Sequence, residues 1–290
     1  MFSANLIWGL MSPIAKGVLQ HGELSGLALS GLRILGGTFL FLVLSLFLPA
    51  SLAPREKISR SDMWKLLAAS VLMISSNQGL YILGIGYTTP VDSAVMSTTT
   101  PVFTLIFATI IIKMPLTWLK VTGVVLGIGG ALMMVMSGSS ATAAVASNPA
   151  LGDLMCLLAQ MCAALYYVLF RDIIARYSPF TMMKWMFILS AVTYVPFTIP
   201  DILSIDWSAV PLSDILSLGY IVVLATFIGY LLIPVAQRIL KPTEVSMYTY
   251  FQPVTSSVLA AAMGLAVFGE MKIAATILIF AGVFCVAKAR

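Results

Sequence analysis

The chemistry this chain can do is confined to a few polar side chains set inside long apolar stretches. In residues 2–20, Asn5, Trp8, Ser12 and Lys16 fall within an arc of about 80° if each residue turns 100° around a helix. In residues 152–171, Cys156, Gln160, Tyr167 and Arg171 make a matching stripe. Asn77, Gln78 and Tyr81 lie near the middle of 66–87, and Tyr248 and Gln252 stand four apart just before Pro253. Thr100 precedes Pro101, and Arg33 lies well inside 27–48. Amides and hydroxyls both donate and accept, aromatic faces attract cations, and a guanidinium grips anions. Such groups recognise a small polar solute. A bland alternative stands beside each: Lys16 and Arg171 can run to opposite membrane surfaces while Trp8 packs, and the amides can bond helix to helix.

Bond-making chemistry has little to work with. His21 is the only histidine and lies in a loop, so neither a zinc site nor a histidine proton relay can be built, and no metal or cofactor is expected. None of the 11 acids lies at mid-span, which leaves no intramembrane carboxylate relay. The glycine clusters precede no Lys-Ser or Lys-Thr pair, so no phosphate-binding loop exists. Cys156, Cys162 and Cys285 sit in apolar runs and read as small buried hydrophobes.

The elements that must hold these groups are membrane helices. Hydrophobic residues make up 60% of 290, charged residues 9%, and the mean hydropathy is +1.03. A soluble domain carries about 25% charge. Apolar stretches near 2–20, 27–48, 66–87, 93–113, 117–136, 152–171, 181–199, 215–236, 246–268 and 272–288 each approach the ~20 residues a helix needs to cross the hydrocarbon core. Barrel-like alternation is absent, so helices are the spanning choice. The start of the chain has no basic region before its apolar run and does not read as a cleaved signal peptide.

The second half echoes the first. From Pro90–Gly130 to Pro242–Gly282 the offset is a constant 152 residues, pairing Asp92 with Glu244 and Pro101 with Pro253. Five spans is an odd number, so the second copy enters the bilayer from the opposite side. The expected fold is an all-α polytopic membrane protein of ten transmembrane helices in two inverted five-helix repeats. Repeat one is 1–137, the external linker 138–150, and repeat two 151–290. Alternate loops and span ends hold 13 of the 16 lysines and arginines, which makes that side cytoplasmic, with both termini. The expected location is the plasma (inner) membrane. The cations sit in short loops rather than one patch, which argues against a nucleic-acid partner.

Proline has no N–H and clashes with the carbonyl four residues earlier, so Pro101 frees an acceptor at Ser97 and Pro253 one at Thr249. Both are candidate gating kinks. Gly123 and Gly127 form a close-packing face, read as packing within one chain, a monomer, rather than a dimer contact.

Taken in order, Trp8-Gly9, Pro13, Lys16, Arg33, Ser97–Phe103, Tyr250-Phe-Gln-Pro253-Val, Gly269-Glu270 and the glycine-rich ends at Gly127–Gly130 and Ala281-Gly282 resemble the drug/metabolite transporter superfamily. Within it, the likeness is to the EamA family of ten-helix carriers. One departure stands out: Lys113-Met114 replaces the Gly-Glu that usually closes the fourth helix, so Glu270 is given no transport role. The resemblance implies a secondary carrier that exports or imports amino acids and other small metabolites; we read the chain as a carrier of amino acids or similar zwitterions working outward. The alternatives are an exporter of drugs, nucleosides or other small organic solutes, a passive channel, and an integral-membrane lipid enzyme. The expected substrate site is Trp8, Ser12, Lys16, Arg33, Asn77, Gln78, Tyr81, Thr100, Gln160, Tyr248 and Gln252.

Overall fold

The computed structural model describes residues 1–49, 54, 56–88, 93, 96–136, 147–262 and 270–289. Pro90, Asp92, Gly269 and most of the expected linker lie outside these. The regular structure among the described residues is all helical, with no strand. We label the main segments α1 (2–21), α2 (26–47), α3 (60–87), α4 (100–111), α5 (118–136), α6 (149–169), α7 (179–194), α8 (212–237), α9 (242–262) and α10 (270–288). Short helices at Arg171–Arg176 and Ile199–Leu203 follow α6 and α7. Of these rods, 26–47, 60–87, 149–169, 179–197 and 212–237 are long and apolar enough to cross a membrane by length and composition.

Local chemistry sets the ends. Ser25, Ser59, Asn148 and Ser178 each cap a helix start, their side-chain oxygens accepting a backbone N–H from inside the first turn. α1 stops at Gly22, whose φ of 87° a side chain would resist. The cap at Ser59 explains why α3 begins at Arg60, six residues before the expected apolar start at 66. A well-capped polar turn extends the helix beyond the hydrophobic run.

α3 and α8 are each interrupted by π-helical stretches, at Val71–Ser76 and Ile221–Ile228. α9 tightens into a 3-10 turn at Tyr248–Tyr250 before Phe251. Both candidate kinks stand at such junctions. Pro101 is the second residue of α4, behind a turn at 98–99, and Pro253 is the third residue after the 3-10 turn.

Packing brings α5 against α10, α3 and α4 against α6, α1 against α8 and α9, and α2 against α7 and α8. The α5–α10 contact is a clasp of bare backbone. A Cβ on Gly123 would lie 2.7 Å from the Gly282 carbonyl oxygen, and one on Gly130 would lie 2.7 Å from that of Ala275. Gly127 faces the Tyr250 ring, so the close-packing face of α5 is used within the chain. The surface is apolar: Phe39, Leu46, Ile110 and Phe284 are each more than 60% exposed. Water would penalise such a surface, whereas lipid would not.

Ion pairs lie toward the ends of the bundle. Asp62, near the start of α3, accepts from Arg176 Nη1 at 3.0 Å and from the Tyr177 hydroxyl at 2.9 Å. Asp214, near the start of α8, lies 2.8 Å from Nδ1 of His21 at the end of α1. The two acids are 152 residues apart.

Candidate functional site

α1, α2, α3, α4, α6, α8 and α9 surround a cavity of about 60 Å³ in the interior of the bundle. Small-molecule pockets usually begin near 300 Å³. As it stands, the cavity has space for only a few waters.

Of the expected residues, Trp8, Arg33, Asn77, Gln78, Tyr81, Thr100, Gln160 and Gln252 line this one cavity. Most are held by bonds to another helix. Trp8 Nε1 donates to the Ala225 carbonyl at 2.8 Å, inside the π stretch of α8. Asn77 Nδ2 donates to Ala159 O at 2.8 Å, and Gln252 Nε2 to Asn5 Oδ1 at 2.9 Å. Thr100 Oγ1 lies 2.8 Å from Gln160 Oε1 and 2.9 Å from the Ser97 carbonyl that Pro101 frees. Its single proton serves one of them at a time.

Among the described lining residues, Arg33 brings the only formal charge. It is 1% exposed, and its Nε donates to Thr226 Oγ1 at 2.9 Å. That hydroxyl donates in turn to Ile221 O at 2.8 Å. Gln78 is also 1% exposed, and neither its Nε2 nor its Oε1 has a partner.

Three expected residues lie outside the lining. Lys16 bends to the C-terminal end of α3, where its Nζ donates to the carbonyls of Ile85, Gly86 and Thr88 at 2.9–3.1 Å. There it meets the negative end of the helix dipole. Ser12 Oγ pairs with Ser93 Oγ at 3.1 Å. Tyr248 stacks on Phe251, their centroids 6.0 Å apart.

The lining also holds residues outside the expected set: Met11, Met73, Ser97, Ala163, Tyr167, Tyr230 and Thr249. Tyr230 packs edge-on to Trp8 with centroids 5.7 Å apart. A signal for it existed in the sequence, since Tyr230 stands 152 residues after Gln78.

The sequence model of the EamA-like transporter family matches residues 1–136 and again 150–288. The chain belongs to the EamA-like transporter family. Among relatives of this EamA-like chain is the uncharacterized transporter YyaM of Bacillus subtilis, 24% identical over 213 residues, covering 72% of this chain and 70% of that protein. An uncharacterized transporter of Archaeoglobus fulgidus is 23% identical over 228 residues, covering 77% and 74%. A solved crystal structure shares the fold with a TM-score of 0.75 at 17% identity, covering 99% of this chain and 94% of that one. With its apolar rods, this EamA-like chain is a multi-pass membrane protein of a transporter family.

Proposed function

We propose that the chain is a secondary carrier that moves small metabolites, amino acids and related zwitterions among them, by alternating access between two inverted five-helix repeats. One observation carries this reading. Ten of the fifteen residues that line the cavity form pairs 152 apart: Trp8 with Gln160, Met11 with Ala163, Gln78 with Tyr230, Ser97 with Thr249, and Thr100 with Gln252. A cavity built from matching positions of two halves lies on the axis that relates them, which is where inverted-repeat carriers bind cargo.

Further features support it. The π stretches of α3 and α8, the spans of α5 and α10, and the acids Asp62 and Asp214 all recur at or near the same offset. Helix contacts recur in the same way, α6 meeting α3 and α4 as α1 meets α8 and α9. With one pair near the start of α3 and the other near the start of α8, Asp62–Arg176 and His21–Asp214 are suited to closing opposite faces in turn. The cysteines, acids and histidine of the described chain stay outside the lining, which favours carriage over catalysis. Cytoplasmic termini follow from the distribution of lysine and arginine. Outward movement is part of the proposal, and counterflow measured from each side tests it.

The test is counterflow in proteoliposomes, with candidate cargo chosen by screening metabolites for thermal stabilisation of the purified protein. Saturable uptake accelerated by cargo on the far side supports a carrier. Unsaturable flux without exchange would identify a channel.

A further inference from the structure

We infer that the cavity takes cargo with one net negative charge, a carboxylate on an otherwise uncharged body, and that Arg33 sets this specificity. The inference rests on the carrier reading and keeps its small-metabolite cargo, but puts a monoanion in place of the zwitterion. Arg33 is buried, and of its five N–H donors only Nε–H has a partner among the described residues. A buried cation is tolerated when an anion meets it, yet no carboxylate stands among the described residues that line the cavity. The remaining edge of the guanidinium matches a carboxylate with two parallel hydrogen bonds. The cargo itself supplies the missing charge.

Gln78 points the same way. It lines the cavity and both polar atoms of its amide are buried without a partner, so a polar group that reaches it meets an unsatisfied donor and acceptor. A zwitterion fits less well. Its ammonium would find only neutral acceptors, chiefly Gln78 Oε1, since Gln160 Oε1 faces the Thr100 hydroxyl and Asn77 Oδ1 faces the Tyr230 hydroxyl. No carboxylate stands among the described lining residues to balance it. With the zwitterion's carboxylate on Arg33, the ammonium on the neighbouring carbon would also stand close to that cation.

An independent observation lies farther along the bundle. Where α4 and α6 end and α5 and α9 begin, a recess of about 470 Å³ is lined by Lys113, Lys120, Arg171 and Lys241 against Asp172. The nearby Glu244 is turned back onto its own helix start, accepting from the Lys241 backbone N–H at 2.8 Å. Lys120 is 2% exposed, and its Nζ donates only to Pro115 O, at 2.8 Å. A preference of membrane proteins for basic loops places cations at this face but does not require one to be buried. Lined by excess positive charge, the recess concentrates anions beside the helices that also form the cavity.

The test uses trios of nearly equal size on two skeletons: lactate, lactamide and alanine, then 2-hydroxy-4-methylpentanoate, its amide and leucine. In at least one trio the acid should stabilise the purified wild-type protein with an apparent Kd tenfold or more below that of the amide and the amino acid. Arg33→Gln should abolish that preference, and Arg33→Lys should keep part of it. An amino acid that stabilises as well as its acid, a preference for the amide, no preference in either trio, or a preference that survives Arg33→Gln would each overturn the inference. The wild-type comparison stands even if a variant misfolds. In proteoliposomes, a stabilising acid that shows no counterflow would sink the carrier reading while leaving the anion site. Counterflow of zwitterions alone would do the reverse.

Discussion

Replacing Gln78 by methionine should make the protein more stable and less able to transport. The side chain is 1% exposed, and its carbonyl oxygen and amide nitrogen both lack a hydrogen-bond partner. A buried polar group left unpaired costs about 1–3 kcal/mol, and an apolar group of similar shape avoids that cost. Methionine has nearly the same length and the flexibility to settle into the same space. The gain should therefore be about 1–3 kcal/mol, read as a rise of roughly 2–4 °C in Tm per kcal/mol. Alanine is a poorer probe, because it also removes packing that costs roughly 2–5 kcal/mol for a buried long side chain. The assay is a melting curve of purified Gln78→Met beside wild type, with uptake measured on the same preparation. A drop in Tm with unchanged uptake would mean that the amide is tied into helix packing, and the argument from its free atoms would fail.

Further expectations concern the clasp, the topology and Trp8. Gly123→Ala and Gly282→Ala should each destabilise by about 1–3 kcal/mol, since a Cβ at either would meet the opposite backbone oxygen at 2.6–2.7 Å. In a double-mutant cycle the pair should cost less than the two singles added, because one separation of the helices relieves both; strict additivity would show no shared contact. In a cysteine-free background, cysteine at 139 should label from outside and cysteine in place of Ser59 from inside, and labelling of both from one side would end the inverted-repeat reading. Trp8→Phe should lower stability by about 1 kcal/mol by leaving the Ala225 carbonyl without its indole partner, and an unchanged melting curve would show that the bond contributes nothing.

Much of the helical layout was legible because apolar run length and capping residues act locally. What eluded the apolar count was α3, whose first turn Arg60–Lys65 is polar yet helical because Ser59 caps it. The cavity was legible wherever an amide, an indole or an arginine stood in an apolar stretch, since such groups need partners that hydrocarbon lacks. It was illegible at Met11, Met73 and Ala163, whose types suit lipid, core and cavity equally. The 152-residue offset would have found Tyr230 from Gln78, whereas Ala163 pairs with Met11, which was no more legible than its partner. Lys16 shared an arc with Trp8, but its long side chain reaches along the bundle to the carbonyls ending α3. Tyr248 was placed one α-turn before Gln252, but the chain there winds as a 3-10 turn, which rotates successive side chains by more than 100°.

The backbone clasp between α5 and α10 has a consequence for how the halves can evolve. Gly123 meets Gly282, and Gly130 meets Ala275. Shifted by 152, 123 becomes 275 and 130 becomes 282, so these are one contact read in both directions. Residue i of one surface meets residue j of the other, and j meets i, as in an isologous contact between identical subunits about a two-fold axis. Under the two-repeat reading the clasp is a homodimer interface closed within a single chain. Between identical chains every substitution at such an interface is felt twice. Within one chain each half can vary alone, and Ala275, standing where the first half has Gly123, records one such departure.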